Sequence, residues 1–288
     1  AFHRNEDGHG RLCVADLAAG TVTPIGRGVH GQIEWMEDSI TALRSGARTP
    51  TQVVRYHTGS GERSILAVGP AAGWDERNLP EPELVSVRSG DTILHARRYA
   101  AGRGRMLCWI HGGPTDQWLV EFRPRISYWW SRGWDVLVVD PRGSTGHGRA
   151  YQRALNGAWG RLDVDDTAIL IAEAHRLGWA TARSTAVMGG SSGGLTVLGV
   201  LADHPHLVGA GVASYPVSDL RALSEVTHRF EAHYSETLVG PAADRERFAR
   251  LSPLHRADRI EGPLLVFHGT DDPVVPIDQS RALAAAIR

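Results

Sequence analysis

The sequence predicts an α/β domain with a mostly parallel sheet and helices on both of its faces, preceded by a smaller all-β segment. Before about residue 80, short strands and turn residues follow one another at even spacing. After it, continuous apolar runs alternate with stretches of helical periodicity, which is the pattern of parallel strands buried on both faces. The 288 residues, 42% hydrophobic and 22% charged, suffice for a large core.

Residues 1–79 indicate part of a β-propeller. Two hairpins are predicted at residues 12–25 and 52–68, with one or two further strands at residues 33–43. Short strands at this spacing are typical of propeller blades. At most two blades fit into this length, so we expect the sequence to begin inside the propeller.

Residues 80–288 form the predicted α/β domain, after a linker at residues 70–82 that contains glycine and prolines. A helix is predicted at residues 163–177, because apolar residues recur on one face and Gly178 follows as a C-terminal cap. The predicted buried strands are residues 107–110, 134–139, 185–188, 208–213 and 264–267, and further helices begin at Gly193 and Ile277.

Charge and composition exclude several classes of protein. The 31 basic residues, all arginine, and 32 acidic residues leave a net charge of -1, so general attraction to nucleic acid or an anionic membrane is not expected. The absence of lysine excludes a lysine nucleophile or Schiff base. Two cysteines, Cys13 and Cys108, cannot build a disulfide framework. No signal peptide or long apolar stretch is recognisable, so a cytoplasmic location is expected.

A G-x-S-x-G motif marks a candidate nucleophile at residues 189–193. The motif alone is weak evidence, but it lies between an apolar strand and a helix, which places a serine at the apex of a tight strand-to-helix turn. The flanking glycines are needed because a Cβ would clash where strand and helix pass closely. Ser192 fits the same motif one residue later; we favour Ser191 because the apolar strand ends at Met188.

Two further loops follow predicted strands. Gly112 and Gly113 come directly after the first α/β strand, where their backbone could approach a substrate carbonyl, and the neighbouring His111 is interpreted as a loop-shaping residue. The last apolar strand is followed by two carboxylates. Asp272 is the predicted triad acid and Asp271 is its competitor.

The predicted triad lacks its base. A histidine must take the proton from the serine, and in this motif order it follows the acid along the chain. None of the 16 residues after Asp272 is histidine. We therefore expect the sequence to stop before the base, and residues 1–288 alone to be close to inactive.

Five motifs together resemble the prolyl oligopeptidase family of serine peptidases, nearest its acylaminoacyl-peptidase and dipeptidyl-peptidase-like branch. Residues 80–288 carry the strong part of the resemblance, and residues 1–79 are more weakly similar to the end of that family's propeller. The motifs, in family order, are His111-Gly112-Gly113-Pro114, residues 140–148, residues 189–194, residues 215–220 and residues 268–276.

The resemblance implies an α/β-hydrolase domain preceded by the end of a β-propeller. It assigns Ser191 as the nucleophile and Asp272 as the acid, and the backbone N–H groups of Ser192 and Gly113 as the oxyanion hole. The residues it places in the pocket for the side chain before the scissile bond are Val217, Leu220 and Val275.

The sequence thus predicts a serine peptidase that cleaves short peptides or aminoacyl and acylaminoacyl amides through an acyl-enzyme on Ser191. An esterase-type α/β-hydrolase shares the same machinery, and a non-catalytic binding scaffold is the alternative that the missing histidine supports. No cofactor or metal is expected. The expected partner is a peptide or aminoacyl substrate, not nucleic acid or membrane, and a homo-oligomer is compatible with the sequence.

Overall fold

The computed structural model describes residues 1–71, 73–74, 78–226 and 234–287. By its internal contacts the chain divides into two units. One unit contains residues 1–83 and 118–132, and the other contains residues 84–117 and 133–288.

The first unit consists mainly of two antiparallel sheets. The three-stranded sheet contains β1 (Phe2–Glu6), β2 (His9–Asp16) and β3 (Thr21–Arg27). The four-stranded sheet contains β4 (Val29–Met36), β5 (Ser39–Gly46), β6 (Thr49–His57) and β7 (Arg63–Val68). Alternate side chains of these strands build a small apolar core, formed by Leu12, Ile40, Val54 and Tyr56.

A short helix, α1 (Pro124–Ser131), also belongs to the first unit. The segment before it is tied to the sheets by two hydrogen bonds: the Val120 N–H donates to the Gly8 carbonyl (2.8 Å) and the Phe122 N–H donates to Ser45 Oγ (3.0 Å). Proline in the first turn suits the start of a helix, where its missing N–H would have no intrahelical partner.

The second unit is built on a seven-stranded sheet. Its strands are β8 (Glu83–Ser89), β9 (Thr92–Tyr99), β10 (Met106–Ile110), β11 (Asp135–Asp140), β12 (Thr185–Gly190), β13 (Ala210–Ser214) and β14 (Leu264–Phe267). They lie in the order β14-β13-β12-β10-β11-β9-β8. From β14 to β11 each neighbouring pair is parallel, and β9 runs antiparallel to β11.

The central strands are apolar throughout because they lie inside the unit. Every residue of β10 and β11 is buried, as the continuous apolar runs of the sequence predict. The core continues into the facing helices, where Val164, Ile171 and Val197 pack with strand residues. Burial raises the pKa of the Cys108 thiol on β10, so this group stays protonated.

Seven helices belong to the second unit in the described part of the chain. They are α2 (Arg149–Arg153), α3 (Leu162–Arg176), α4 (Ser192–Asp203), α5 (Leu220–Val226), α6 (Tyr234–Leu238), α7 (Arg245–Leu251) and α8 (Asp278–Ile287). Helix α4 packs against α3 and against strands β10, β12 and β13. Among the described helices, none combines the length and the apolar character needed to cross a bilayer.

Strand register places the predicted motifs at one edge of the sheet. Ile110 pairs with Gly189, Gly190 pairs with Ser214, and Ser214 pairs with Phe267. These residues are at the carboxyl ends of parallel strands, so the loops that follow them emerge together.

Candidate active site

The turn between β12 and α4 places Ser191 at its apex. Ser191 has φ +56° and ψ −123°, a left-handed backbone conformation that non-glycine residues rarely adopt. Its N–H donates to the Ser214 carbonyl (3.0 Å), and its carbonyl accepts from the Gly194 N–H (2.9 Å). The strained residue is thus held from both sides, by β13 and by the first turn of α4.

The glycines around Ser191 are required by close backbone contacts. A Cβ on Gly189 would collide with the Gly193 carbonyl, and a Cβ on Gly193 would lie 2.5 Å from the His111 carbonyl oxygen. Helix α4 therefore passes against both its own strand and the end of β10. This is the steric reason for glycine that the motif predicts.

Ser191 and Ser192 have different environments. The Ser192 hydroxyl is buried and accepts a hydrogen bond from the Trp159 indole N–H (3.0 Å). Ser191 is partly exposed. Of the two serines that fit the motif, Ser191 is therefore the one whose side chain a substrate can approach.

The loop after β10 passes next to Ser191. A Cβ built on Gly112 would lie 3.6 Å from the Ser191 Cβ, so the backbone of this loop passes close to the Ser191 side chain. Gly113 has φ +121°, and its peptide bond to Pro114 is cis. The Ser192 N–H begins the 12-residue helix α4, whose dipole favours negative charge at this end.

His111 does not face the serine hydroxyl. Its Nδ1 lies 2.6 Å from the Gly112 carbonyl oxygen, and its Nε2 lies 2.7 Å from Ser144 Oγ. Ser144 Oγ in turn donates to the Pro141 carbonyl (2.7 Å). The buried imidazole therefore links the loops that follow β10 and β11, which agrees with a loop-shaping role.

Asp272 lies on the loop after β14 and is oriented by that loop. Its Oδ1 accepts hydrogen bonds from the N–H groups of Val274 and Val275, both at 2.9 Å. The Val275 N–H, together with that of Val274, lowers the pKa of the Asp272 carboxyl, so this group is charged at neutral pH. Asp271, the competing acid, is exposed.

His268, which the sequence analysis did not assign, supports the same loop. Its Nε2 donates to the Val275 carbonyl (2.7 Å) and its Nδ1 lies 2.7 Å from Ser280 Oγ on α8. Its Nε2 is also 3.9 Å from Asp272 Oδ2. Within the described residues, no histidine forms a hydrogen bond with the Ser191 hydroxyl.

The three predicted pocket residues, Val217, Leu220 and Val275, lie in one buried apolar cluster. Trp159, which the sequence analysis did not single out, belongs to the same cluster and also holds Ser192. The available signal in the sequence was a tryptophan within a turn, between Gly157 and Gly160. The remaining buried members are Leu155, Leu195, Leu238, Val239, Phe248 and Leu251.

A third unassigned residue, Gln279, joins helix α8 to the loop between β13 and α5. Its Oε1 accepts from the N–H groups of Ser218 (2.8 Å) and Asp219 (2.7 Å), and its Nε2 donates to the Asp219 carbonyl (3.0 Å). These bonds are buried or partly buried and connect positions 60 and 61 residues apart.

A buried charged group supports the loop after β11. Asp140 accepts from Arg97 Nη2 and Gln117 Nε2, both at 2.6 Å, and lies 2.9 Å from His147 Nε2. Burial alone would raise the pKa of Asp140, but Arg97 and these hydrogen bonds hold it below its usual value. The carboxylate therefore stays charged and anchors the loop at residues 140–148.

Comparisons with known proteins agree with this arrangement. The sequence model of the prolyl oligopeptidase family matches residues 120–288. Dipeptidyl peptidase family member 6 of Caenorhabditis elegans is 32% identical over 190 residues, which are 64% of this chain and 26% of that protein. The acylamino-acid-releasing enzyme of Arabidopsis thaliana is 30% identical over 189 residues, which are 62% of this chain and 24% of that protein.

Among solved structures, a puromycin-hydrolyzing peptidase of Mycobacterium tuberculosis superposes with a TM-score of 0.91 and 29% identity. The match covers 98% of this chain and 45% of that one, so the chain spans less than half of the solved protein. The predicted fold class, an α/β-hydrolase domain preceded by the end of a β-propeller, is confirmed by this superposition.

Proposed function

The chain belongs to the prolyl oligopeptidase family, and on that premise we propose that Ser191 is the nucleophile of a serine peptidase. The observation that carries the proposal is the turn at Ser191, where a partly exposed hydroxyl on a strained backbone stands next to the loop of Gly112 and Gly113. The proposed division of labour follows the predicted domains, with the propeller segment at residues 1–79 and the catalytic domain at residues 80–288.

In the proposed mechanism, Ser191 Oγ attacks the carbonyl carbon of the scissile bond. The N–H groups of Ser192 and Gly113 donate to the developing oxyanion, where preorganised donors stabilise the transition state most. A histidine takes the serine proton and passes it to the leaving amine. In this proposal the histidine follows Asp272 along the chain, and Asp272 orients it and stabilises its cation.

We propose short peptides and aminoacyl or acylaminoacyl amides as substrates. The names of the similar proteins support this class, since they include a dipeptidyl peptidase, an acylamino-acid-releasing enzyme and a puromycin-hydrolyzing peptidase. The apolar cluster of Val217, Leu220 and Val275 supports an apolar side chain before the scissile bond. A cytoplasmic location stays a prediction.

The test is labelling of the full-length protein with a fluorophosphonate, which reacts with activated serines. We expect one adduct per chain, mapped to Ser191 by peptide mass spectrometry. Ser191→Ala should abolish the adduct, and Ser192→Ala is the matched control that should keep it. An adduct lost only in Ser192→Ala would move the nucleophile by one residue, and no adduct in the folded protein would support the binding scaffold.

Amide and ester substrates separate the peptidase from the esterase. We expect the full-length protein to cleave aminoacyl 4-nitroanilides as well as 4-nitrophenyl esters, with both activities lost in Ser191→Ala. Cleavage of esters alone would contradict the peptidase proposal and favour the esterase-type alternative.

A further inference from the structure

A cavity of the α/β unit is lined by arginines. It has a volume of about 760 Å³ and is bordered by the start of α3, the end of α4, helix α7 and the 3-10 segment Pro253–Arg259. Among its described lining residues, none is a predicted catalytic, oxyanion or pocket residue. The arginines are Arg161, Arg247, Arg250, Arg256 and Arg259.

Two of these arginines lie beside one and the same acid, Asp203. Arg256 Nε donates to Asp203 Oδ2 (2.9 Å), and its other nitrogens donate to backbone carbonyls, including that of Gly160 (3.2 Å). Arg259 Nη1 lies 3.7 Å from the same Asp203 carboxylate. Arg256 and Asp203 therefore build the wall of the cavity, and their charges offset each other.

The other three arginines leave positive charge in the cavity. Arg247 donates from Nη2 to the Gly157 carbonyl (2.6 Å), which orients its guanidinium without cancelling its charge. Arg161 and Arg250 are exposed and form no hydrogen bond or ion pair with another described residue through their side chains. Asp165 is the remaining acid of the lining, and its Oδ1 lies 3.7 Å from His204 Nε2.

This local charge contrasts with the whole chain, whose net charge is -1. Guanidinium groups bind phosphate and carboxylate through paired hydrogen bonds, and several of them around one cavity attract a ligand with several negative charges. The volume is in the range of small-molecule sites, about 300–1,000 Å³. Ala249 and Leu251 are the apolar side chains of the described lining, which disfavours an apolar ligand.

We propose that this cavity binds a small polyanion, a molecule with two or more phosphate or carboxylate groups. Arg161 and Arg250 are the main contacts, and Arg247 is a third, already oriented donor. The site is separate from the proposed peptidase chemistry, so binding can be measured without turnover and does not depend on the assignment of Ser191.

The test is isothermal titration calorimetry on the full-length protein with tripolyphosphate and, separately, with citrate, at one fixed ionic strength. We expect one site per chain for at least one of the two ligands. Arg161→Gln and Arg250→Gln should each weaken binding about tenfold or more, because each removes a hydrogen-bonding guanidinium and its charge from the ligand. Tripolyphosphate binding alone would indicate a phosphate ligand, and citrate binding alone a carboxylate ligand.

The control is Arg183→Gln, which removes an exposed arginine that does not line the cavity. It should leave the affinity unchanged, and all variants should keep the unfolding midpoint of the wild type without ligand. Because lysine keeps the charge without the paired donors, Arg250→Lys should fall between wild type and Arg250→Gln. The proposal is overturned if neither ligand binds, or if Arg183→Gln weakens binding as much as the cavity variants.

Discussion

The turn at Ser191 and the loop at Asp272 leave the same edge of one sheet, yet they are held in position by different forces. Around Ser191, backbone packs on backbone: the site of a Cβ on Gly193 is 2.5 Å from the His111 carbonyl oxygen. Around Asp272, the contacts are hydrogen bonds within the loop, from the N–H groups of Val274 and Val275. Gly269, in the same loop, has nothing within 4 Å of its Cβ position.

This difference implies that the two regions respond differently to substitution. The Ser191 turn depends on steric fit between segments far apart in the chain, so an added methyl group displaces whole elements. The Asp272 loop depends on local hydrogen bonds and has open space beside Gly269. We therefore expect it to accept a larger side chain there but to be sensitive to loss of the Asp272 charge. Four predictions test the contrast.

The largest expected effect is on catalysis. In the full-length protein, Ser191→Ala should lower kcat on an aminoacyl 4-nitroanilide by about 10⁶-fold, and Asp272→Asn by about 10⁴-fold. In the proposed mechanism the first change removes the nucleophile and ends acyl transfer, whereas the second misorients the base. Steady-state kinetics measure both. Circular dichroism should show both variants folded, and a larger loss in Asp272→Asn would contradict the assigned roles.

The next effect is on stability. Gly193→Ala should lower the free energy of unfolding by about 3 kcal/mol or more, because its Cβ meets two backbone carbonyls that cannot move aside. Gly269→Ala, the matched substitution in the other loop, should change it by less than about 0.5 kcal/mol. Urea unfolding of both variants measures the difference, and equal losses would refute the contrast.

The third effect is on the pH dependence of stability, to which Asp163 and Asp272 should contribute with opposite signs. Burial raises the pKa of Asp163, beneath α4, to about 6, although Thr196 and the Gly160 N–H donate to it. An acid with a raised pKa contributes its full stability below the unfolded value, about 3.9, and loses it as pH rises through 6. The loss should amount to about 2–3 kcal/mol. For Asp272 the pKa is lowered, so its contribution is present above pH 4 and is lost as pH falls.

Urea unfolding between pH 3 and 8 tests this with Asp163→Asn and Asp272→Asn. The stability of Asp163→Asn relative to wild type should rise with pH, since the neutral amide does not titrate. Asp272→Asn should be less stable than wild type above pH 4, and the difference should shrink as pH falls below 4. A pH-independent difference for Asp163→Asn would show that the buried carboxyl does not titrate as stated.

The smallest effect concerns one hydrogen bond in each region. Trp159→Phe and Ser192→Ala both remove the bond between the indole N–H and Ser192 Oγ. A double-mutant cycle of the two should give a coupling energy of about 1 kcal/mol. The corresponding substitution next to the Asp272 loop is Ser280→Ala, which removes the hydroxyl beside His268 Nδ1. A coupling near zero would mean that Trp159 does not hold Ser192.

Several features of the fold were predictable because they depend on neighbouring residues. The buried strands β10, β11 and β12 are continuous apolar runs, and the Ser191 turn is a contiguous motif between a strand and a helix. Strands β8 and β9 were not predicted. In β8 exposed and half-buried residues alternate, and β9 mixes buried, half-buried and exposed residues. Both strands lie beyond β11 on one side of the sheet, so they lack the continuous apolar pattern of the central strands.

Other features depend on residues that meet only after folding. Trp159 reaches Ser192 across 33 residues, and Gln279 reaches Ser218 across 61 residues. Nothing in the local sequence distinguishes these side chains from ordinary core or helix residues. The arginines of the cavity are likewise spread over several segments, so their joint charge becomes visible only when those segments pack.

The amino-acid sequence alone therefore sufficed for the family and the fold class, and it singled out Ser191, Ser192, Gly113 and Asp272 as candidates that stay predictions. Each of these is encoded by short runs whose backbone preferences are local. Folding was needed to show which serine is partly exposed, which groups hold the loops in place, and where unpaired arginines gather. Those properties arise from packing and from charge brought together in space, and short-range patterns along a chain do not contain them.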